Sequence, residues 1–540
     1  DNPGTAERPI RTLKKLEDRI KQPGVQEVVF HAGVYRGHLE IRNSGVGDPK
    51  NPPPLTLRAE EGATVVIDGA LPLTRGEPVP DWPGIYVIRD MRPAKSGHLP
   101  AMWDEPARRR YQLAGGMRAL RKFPGTYWLT PQGLYIHPVD GKPLEAQHLE
   151  IWRSDYPHGI YVMRANVTVK NITVRNFWRD GQKSSGICVA ATGKWFTVHN
   201  VTVENCRVQN CPRGITIRAS DSRVTGCRVD DCGTGVYVKA PRVIVEKCRL
   251  FKVRDEFMVP MYPQEDTGIE VYYDSGQRED VRFNLCKGFA CGIFVKCLSG
   301  DFVIENNTIV QCETGLGFTS SDPGRKYYAR RNLVYGSRRA LWEPGEGKAK
   351  FTAESNLIWP GPEGVTASSR KDLARLKQLG KDNVLADPRL ADANANDFRL
   401  LPGSPCLPKA AGEPGIGAFG LADGATIAKG QAGDLPTASI KPLSSVRELP
   451  GQAGENDPFM FLRWNVLLLE IGASTHNGVF AQMKYRLDDG AWSKPQPFRR
   501  ELELKPATRE EPYRIGVAVS DDRGRWSKTA VIRLLVSSEK

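Results

Sequence analysis

The chain has 540 residues, 40% of them hydrophobic and 26% charged, the balance of a soluble globular protein of about two to four domains. Lysine and arginine outnumber aspartate and glutamate by 76 to 62, and the net charge of +14 favours anionic partners such as nucleic acid, lipid headgroups or acidic polysaccharide. No run approaches the roughly 18 apolar residues of a membrane helix, so no membrane span is expected.

The chain opens at Asp1 without a signal-like segment, as a processed chain would. Thr5 to Gln22 reads as an amphipathic helix with Ile10, Leu13, Leu16 and Ile20 on one side, suited to covering the open end of a sheet. Strands follow at 27–30, 33–37, 55–57 and 64–67. Residues 71–150 break the rhythm, and their Pro, Gly, Arg and aromatics mark a β-rich insertion whose basic Arg108 to Tyr111 stretch is expected on the solvated surface, with contact to an anion as the alternative.

Regular coils occupy about 167–360. Cys206 and Cys211 recur one 21-residue step later as Cys227 and Cys232, then as Cys248 and Val253. The same two slots, five apart, are read at Asn171 and Asn176, at Cys286 and Cys291, and at Asn307 and Cys312, and the first continues to Asn332 and Asn356. A fixed period of this kind marks a solenoid, whose repeats bury their apolar sides against one another. Ten of the 11 cysteines fall between Cys188 and Cys312, and those of the two slots are spaced C-x4-C rather than the C-x2-C of zinc sites. They are expected to stack as small buried hydrophobes, with Asn amides bonding along the same slot.

After a helical stretch at Arg370 to Leu379, closing motifs appear: DP at 387–388, DFRL at 397–400, PGSP at 402–405 and GAF at 417–419. With GTAERP at 4–9, GVYR at 33–36 and VIDG at 66–69, they resemble secreted right-handed parallel β-helix proteins over about residues 1–420. The resemblance implies a carbohydrate-active enzyme (polysaccharide lyase, glycoside hydrolase or epimerase) that is secreted, periplasmic or on the cell surface. Residues 421–447 read as a Gly/Ala/Pro/Ser-rich linker, and 448–540, with strands at 461–466, 480–487 and 513–519, resemble an immunoglobulin-like β-sandwich. The expected class is all-β: a parallel β-helix with an inserted segment and a C-terminal sandwich.

Within the coils, strands begin at Gly186, Gly214, Gly235, Gly268, Gly292 and Gly315. Alternation turns Ile or Val inward and stacks two outward columns. One holds Cys188, Thr216, Tyr237, Glu270, Phe294 and Gly317, and the other Ala190, Arg218, Lys239, Tyr272, Lys296 and Thr319. Neighbouring rungs lie about 4.8 Å apart, so Arg218, Lys239, Tyr272 and Lys296 form one row, and like charges that close destabilise a sheet unless an anion relieves them. The expectation is a groove for a negatively charged sugar chain, contacted by Tyr237, Phe294 and Lys296. Two long loops should wall it, one carrying Trp178, Arg179, Asp180 and Lys183, the other Arg254 and Tyr262.

β-Elimination on a uronate needs a cation against the carboxylate and a base for the C5 proton; arginine suits the first, and a lysine set among cations suits the second. That gives Arg218 neutralisation, Lys239 abstraction and Tyr272 protonation of the leaving oxygen. β-Helix alginate- and pectate-type lyases are similar in using Lys and Arg on this face. Hydrolysis instead needs two carboxyl groups about 5–5.5 Å or 6.5–9.5 Å apart. Glu270 is the acid of the central columns, with Asp274 just beyond it and Asp180, Asp255, Glu265 or Asp266 as loop partners. Asp255, Glu265 and Asp266 would equally suit Ca²⁺. A third reading is a non-catalytic polysaccharide-binding adhesin. No nucleic-acid motif accompanies the charge, so the expected partner is an acidic polysaccharide or oligosaccharide, bound by a monomer.

Overall fold

The computed structural model describes residues 5, 8–42, 48, 51–91, 101–104, 109–114, 116–139, 141–146, 148–152, 157–177, 184–190, 198–252, 266–273, 279–297, 302–320, 326–342, 350–361, 367–393, 396–408 and 415–419. In the C-terminal part it describes 437–442, 447–448, 459–462, 467–474, 480–488, 490–497, 501–504, 513–521, 526 and 529–536. Two compact units result, one of residues 1–71, 152–391 and 398–422, the other of 72–151, 392–397 and 423–540.

In the first unit the opening helix is Leu13–Ile20, shorter than the amphipathic pattern predicts. Proline at position 9 lacks the N–H a helix needs, and the Thr12 side chain caps the helix by accepting from the Lys15 N–H at 3.3 Å. Its buried Leu13, Leu16 and Ile20 join the core beneath it, and the buried Glu17 accepts from the Glu40 N–H at 2.8 Å.

Coils follow, each giving one strand to each of three parallel sheets. The first contributes Glu27–Phe30 to sheet 1, Gly33–Arg36 to sheet 2 and Leu39–Arg42 to sheet 3. The stack is a right-handed parallel β-helix with ten, eleven and nine described strands in sheets 1, 2 and 3. Val, Ile and Leu at alternate positions meet in one core; Ile187, Ile215, Val236, Ile269 and Ile293 are wholly buried. Each such side chain contributes about 1.5–3 kcal/mol. The recurrent strand glycine has a steric cause: a Cβ on Gly214, Gly235 or Gly268 would meet the carbonyl oxygen of the next glycine in the stack at 2.5 Å.

The corners correct the repeat register. In the strand ladder Leu250 pairs with Cys286 and Cys286 with Ile309, so Cys286 is an inward strand residue, and the slot two residues earlier belongs to Asn284. Likewise Thr173 pairs with Arg207, which puts Ile172, not Asn171, opposite Cys206. Asn171 and Asn176 are left-handed corner residues, with φ of 58° and 68°. Asparagine tolerates that conformation and also serves an inward amide ladder, so its identity alone does not separate the two roles. The true ladder is Asn284, Asn307, Asn332, Asn356 and Asn383, each Nδ2 donating at 3.0 Å to the next Oδ1. The cysteines of the slot are buried free thiols, as expected.

Past the last strand of sheet 3, the helix Ala367–Leu379 begins three residues before the stretch read from sequence, and its Asp372 accepts from the Ala340 N–H at 2.6 Å. In the second unit, residues 72–151 include antiparallel strands such as Thr126–Thr130 and Gly133–His137 around a core of Met102, Tyr111, Tyr127, Leu134 and Ile136. The C-terminal residues form described sheets of three and six strands, in which Phe480–Leu487 pairs antiparallel with Tyr513–Asp521.

Candidate functional site

Sheet 3 runs Leu39–Arg42, His158–Met163, Ser185–Ala190, Arg213–Arg218, Thr234–Val238, Thr267–Tyr273, Cys291–Cys297, Thr314–Ser320 and Arg339–Trp342. Its register sets Cys188, Thr216, Tyr237, Glu270, Phe294 and Gly317 side by side. In the next column Ala190 neighbours Arg218, and Tyr272 neighbours Lys296, which neighbours Thr319. The Lys239 N–H donates to the Ile217 carbonyl at 2.8 Å, which holds it in the same column. These are the two outward columns that alternation predicts.

The cations are interleaved with rings. Lys239 Nζ lies 4.7 Å from the Tyr272 ring centre and Lys296 Nζ 5.3 Å from it. The Arg213 and Arg218 guanidinium carbons lie 4.1 Å and 5.9 Å from the Tyr237 ring centre. Aromatic faces thus relieve part of the repulsion expected of the row, by about 0.5–1 kcal/mol per exposed contact. Arg218, Lys239 and Lys296 are exposed, and among the described residues none of the three is ion-paired. An anion arriving there displaces no carboxylate among the described residues.

A third outward column escapes the glycine-based reading: His158, Ser185, Arg213, Thr234, Thr267 and Cys291, paired rung by rung. Each precedes a strand glycine, and that position is the sequence signal that marks the column. The His158 ring lies against Tyr161 with ring centres 4.8 Å apart and planes tilted by 46°, and its Nδ1 is buried with no hydrogen-bond partner among the described residues. Burial first, then the charges of Arg218 and Arg213, push the His158 pKa down to about 4, so the ring is neutral at neutral pH. Burial pushes the Tyr161 pKa up, which keeps its phenol protonated. Ser185, on the strand between, and Thr216, on the strand of the two arginines, share a hydroxyl hydrogen bond of 2.8 Å.

Glu270 is 9% exposed and sits in register between Tyr237 and Phe294. The other described acid of its column is Glu40, five rungs away and bonded to Arg42 at 2.7 Å. Five rungs is about 24 Å, far beyond a hydrolytic pair. Phe294 packs over Gly317, where a Cβ would meet its Cδ2 at 2.7 Å. Asp266, expected as a second carboxylate or a calcium ligand, is instead ion-paired with the buried Lys252, whose ammonium neutralises it. No group of three or more His, Cys, Asp or Glu side chains suited to a metal occurs among the described residues. Trp178, Arg179, Asp180, Lys183, Arg254, Asp255, Tyr262, Glu265 and Asp274 lie outside the described residues. Their segments join sheet 2 strands to sheet 3 strands, Thr173–Arg175 to Ser185–Ala190 and Arg249–Phe251 to Thr267–Tyr273, except that Asp274 follows the last of these. Cys188, on the face, has its thiol pushed up to about 12 by burial and is no nucleophile.

A family model for the right-handed β-helix region matches residues 158–334. No curated protein matches the chain. Among solved structures, the chain is similar to one described as the complex of XylC with xylose, 13% identical, covering 67% of this chain and 67% of that one with a TM-score of 0.49. It is also similar to a glycoside hydrolase, 12% identical, covering 70% of this chain and 98% of that one with a TM-score of 0.47.

Proposed function

We propose that the protein is an enzyme that cleaves an acidic, uronate-bearing polysaccharide by β-elimination on the outer face of sheet 3. One observation carries the reading: Arg218, Lys239 and Lys296 are exposed along a single column, stacked on Tyr237 and Tyr272 and without carboxylate partners among the described residues. A cation against the uronate carboxylate stabilises the negative charge that develops when C5 loses its proton. The C5–H electron pair becomes the C4=C5 double bond as the C4–O bond breaks. Arg218 suits the carboxylate by its two-pronged geometry. Lys239, the base expected from sequence, is better used beside Lys296 as a carboxylate-holding cation, because both ammonium groups lie on the Tyr272 ring. Such a polymer is met outside the cytoplasm, so export goes with this reading.

Incubation with a panel of uronate polymers tests it, with the ultraviolet absorbance of the unsaturated product and the release of reducing ends followed together. Elimination raises both. Reducing ends without that absorbance would turn the reading to hydrolysis through Glu270, which Glu270→Gln would then abolish. Polymer retained with neither signal would make this a binding protein.

A further inference from the structure

We propose that His158 and Tyr161 are the proton-transferring pair of this face, with the reacting uronate carboxylate held between Arg213 and Arg218. The proposal rests on the elimination reading above. Geometry brings it forward. His158 and Tyr161 share one strand with their ring centres 4.8 Å apart, and the strand that carries both arginines lies two rungs away. Two rungs are about 10 Å between backbones, a gap that arginine side chains and one sugar ring fill together. The Tyr237 ring props both arginines, at 4.1 Å and 5.9 Å, so the carboxylate clamp is formed before substrate arrives.

The step balances within the pair. The His158 imidazole takes the C5 proton through Nε2, the ring edge left to meet substrate. The electron pair moves into C4=C5, the C4–O bond breaks, and the Tyr161 hydroxyl gives its proton to the leaving oxygen. Imidazolium then returns a proton to the phenolate through one bridging water, which restores both groups.

The charges around the pair make it responsive to substrate. Arg213 and Arg218 face His158, and Cys188, Glu40, Arg42 and Arg218 face Tyr161. Without substrate, both arginines help hold the imidazole near pKa 4, where it is a weak base. A carboxylate between them offsets two of the three causes of that depression, so the base strengthens when the group it must act beside is bound.

The test uses the full chain. His158→Gln is expected to lower kcat about 100-fold or more with KM little changed, and Tyr161→Phe to do likewise. Arg213→Gln is expected to move the acid limb of kcat/KM to higher pH, which a merely structural histidine would not do. Independently of turnover, the His158 resonance should titrate near 4 and shift upward when a uronate oligosaccharide is added. Unsaturated product from the wild type with kcat kept within about threefold in His158→Gln, or a His158 titration unmoved by the oligosaccharide, overturns the pair and leaves the elimination reading standing. A wild type that yields no unsaturated product on any uronate polymer overturns both.

Discussion

In sheet 1 one outward column reads Lys170, Glu204, Thr225, Glu246, Arg282, Glu305, Arg330 and Glu354, rung after rung in register. Its charges alternate except where Thr225 separates Glu204 from Glu246, and bonds run along it: Lys170 to Glu204 at 3.0 Å, Arg282 to Glu246 at 2.9 Å, Arg330 to Glu305 at 2.5 Å. Sheet 2 does the same with Arg175 on Asp68 and Arg207 on Asp230. Sheet 3, wound from the same coils, places Arg218, Lys239 and Lys296 in one column with tyrosine rings as their neighbours. The scaffold plainly can neutralise its cations internally. Among the described residues it pairs none of these three cations of sheet 3.

The largest effect should come from breaking the neutralised side. Asp68 is wholly buried and accepts from Arg175 Nε at 2.9 Å, Asn176 Nδ2 at 3.0 Å and the Ala70 N–H at 2.9 Å. Asp68→Ala takes the shared acceptor from Arg175, Asn176 and Ala70, and should cost about 3–5 kcal/mol in urea unfolding. The protein that remains folded should bind uronate polymer as before. A cost under about 1 kcal/mol would mean that cations on this solenoid need no internal partner, and the contrast with sheet 3 would lose its meaning.

The reverse substitution is expected on sheet 3. Arg218→Ala, Lys239→Ala and Lys296→Ala should each change stability by no more than about 0.5–1 kcal/mol, since no ion pair among the described residues is lost. Each should weaken polymer binding about tenfold at low ionic strength, equivalent to ~1.4 kcal/mol, and by less as salt rises. Titration calorimetry at two salt concentrations separates this outcome from a solvated surface, for which affinity would not move.

The alternation of apolar residues after each glycine made both outward columns legible, because a parallel sheet fixes side-chain direction rigidly. Period arithmetic was less dependable at the corners. Cys286 meets the same demand for a small apolar side chain as a slot cysteine, and only the strand pairing shows that it is two residues out of phase. His158, Tyr161 and Arg213 were harder to find for another reason. The His158 strand follows residues 72–151, which break its spacing from the coil before it. Arg213 lies before its glycine, outside the part of the strand where alternation is counted. Asp266 illustrates the limit for charge: composition shows a loop acid, while its ion pair with Lys252 depends on a neighbour fourteen residues back that the fold brings beneath it.

The smallest effect concerns the ring that divides the row. Tyr272 stands between Lys239 and Lys296, within 4.7 Å and 5.3 Å of their ammonium groups. Tyr272→Leu keeps an apolar side chain in the column but removes both cation–ring contacts and leaves the two lysines flanking a group that cannot relieve them. The loss should be about 1 kcal/mol in low salt, lowering the melting temperature, and added salt should recover the part due to repulsion. Tyr272→Phe retains the ring face and should be nearly neutral in stability at either salt. Equal destabilisation by both substitutions would assign the stabilisation to the hydroxyl, whereas a salt-independent loss in Tyr272→Leu alone would assign it to packing. Either result would remove the tyrosines from the charge balance of sheet 3, and the cations there would then need an external anion even more than their spacing implies.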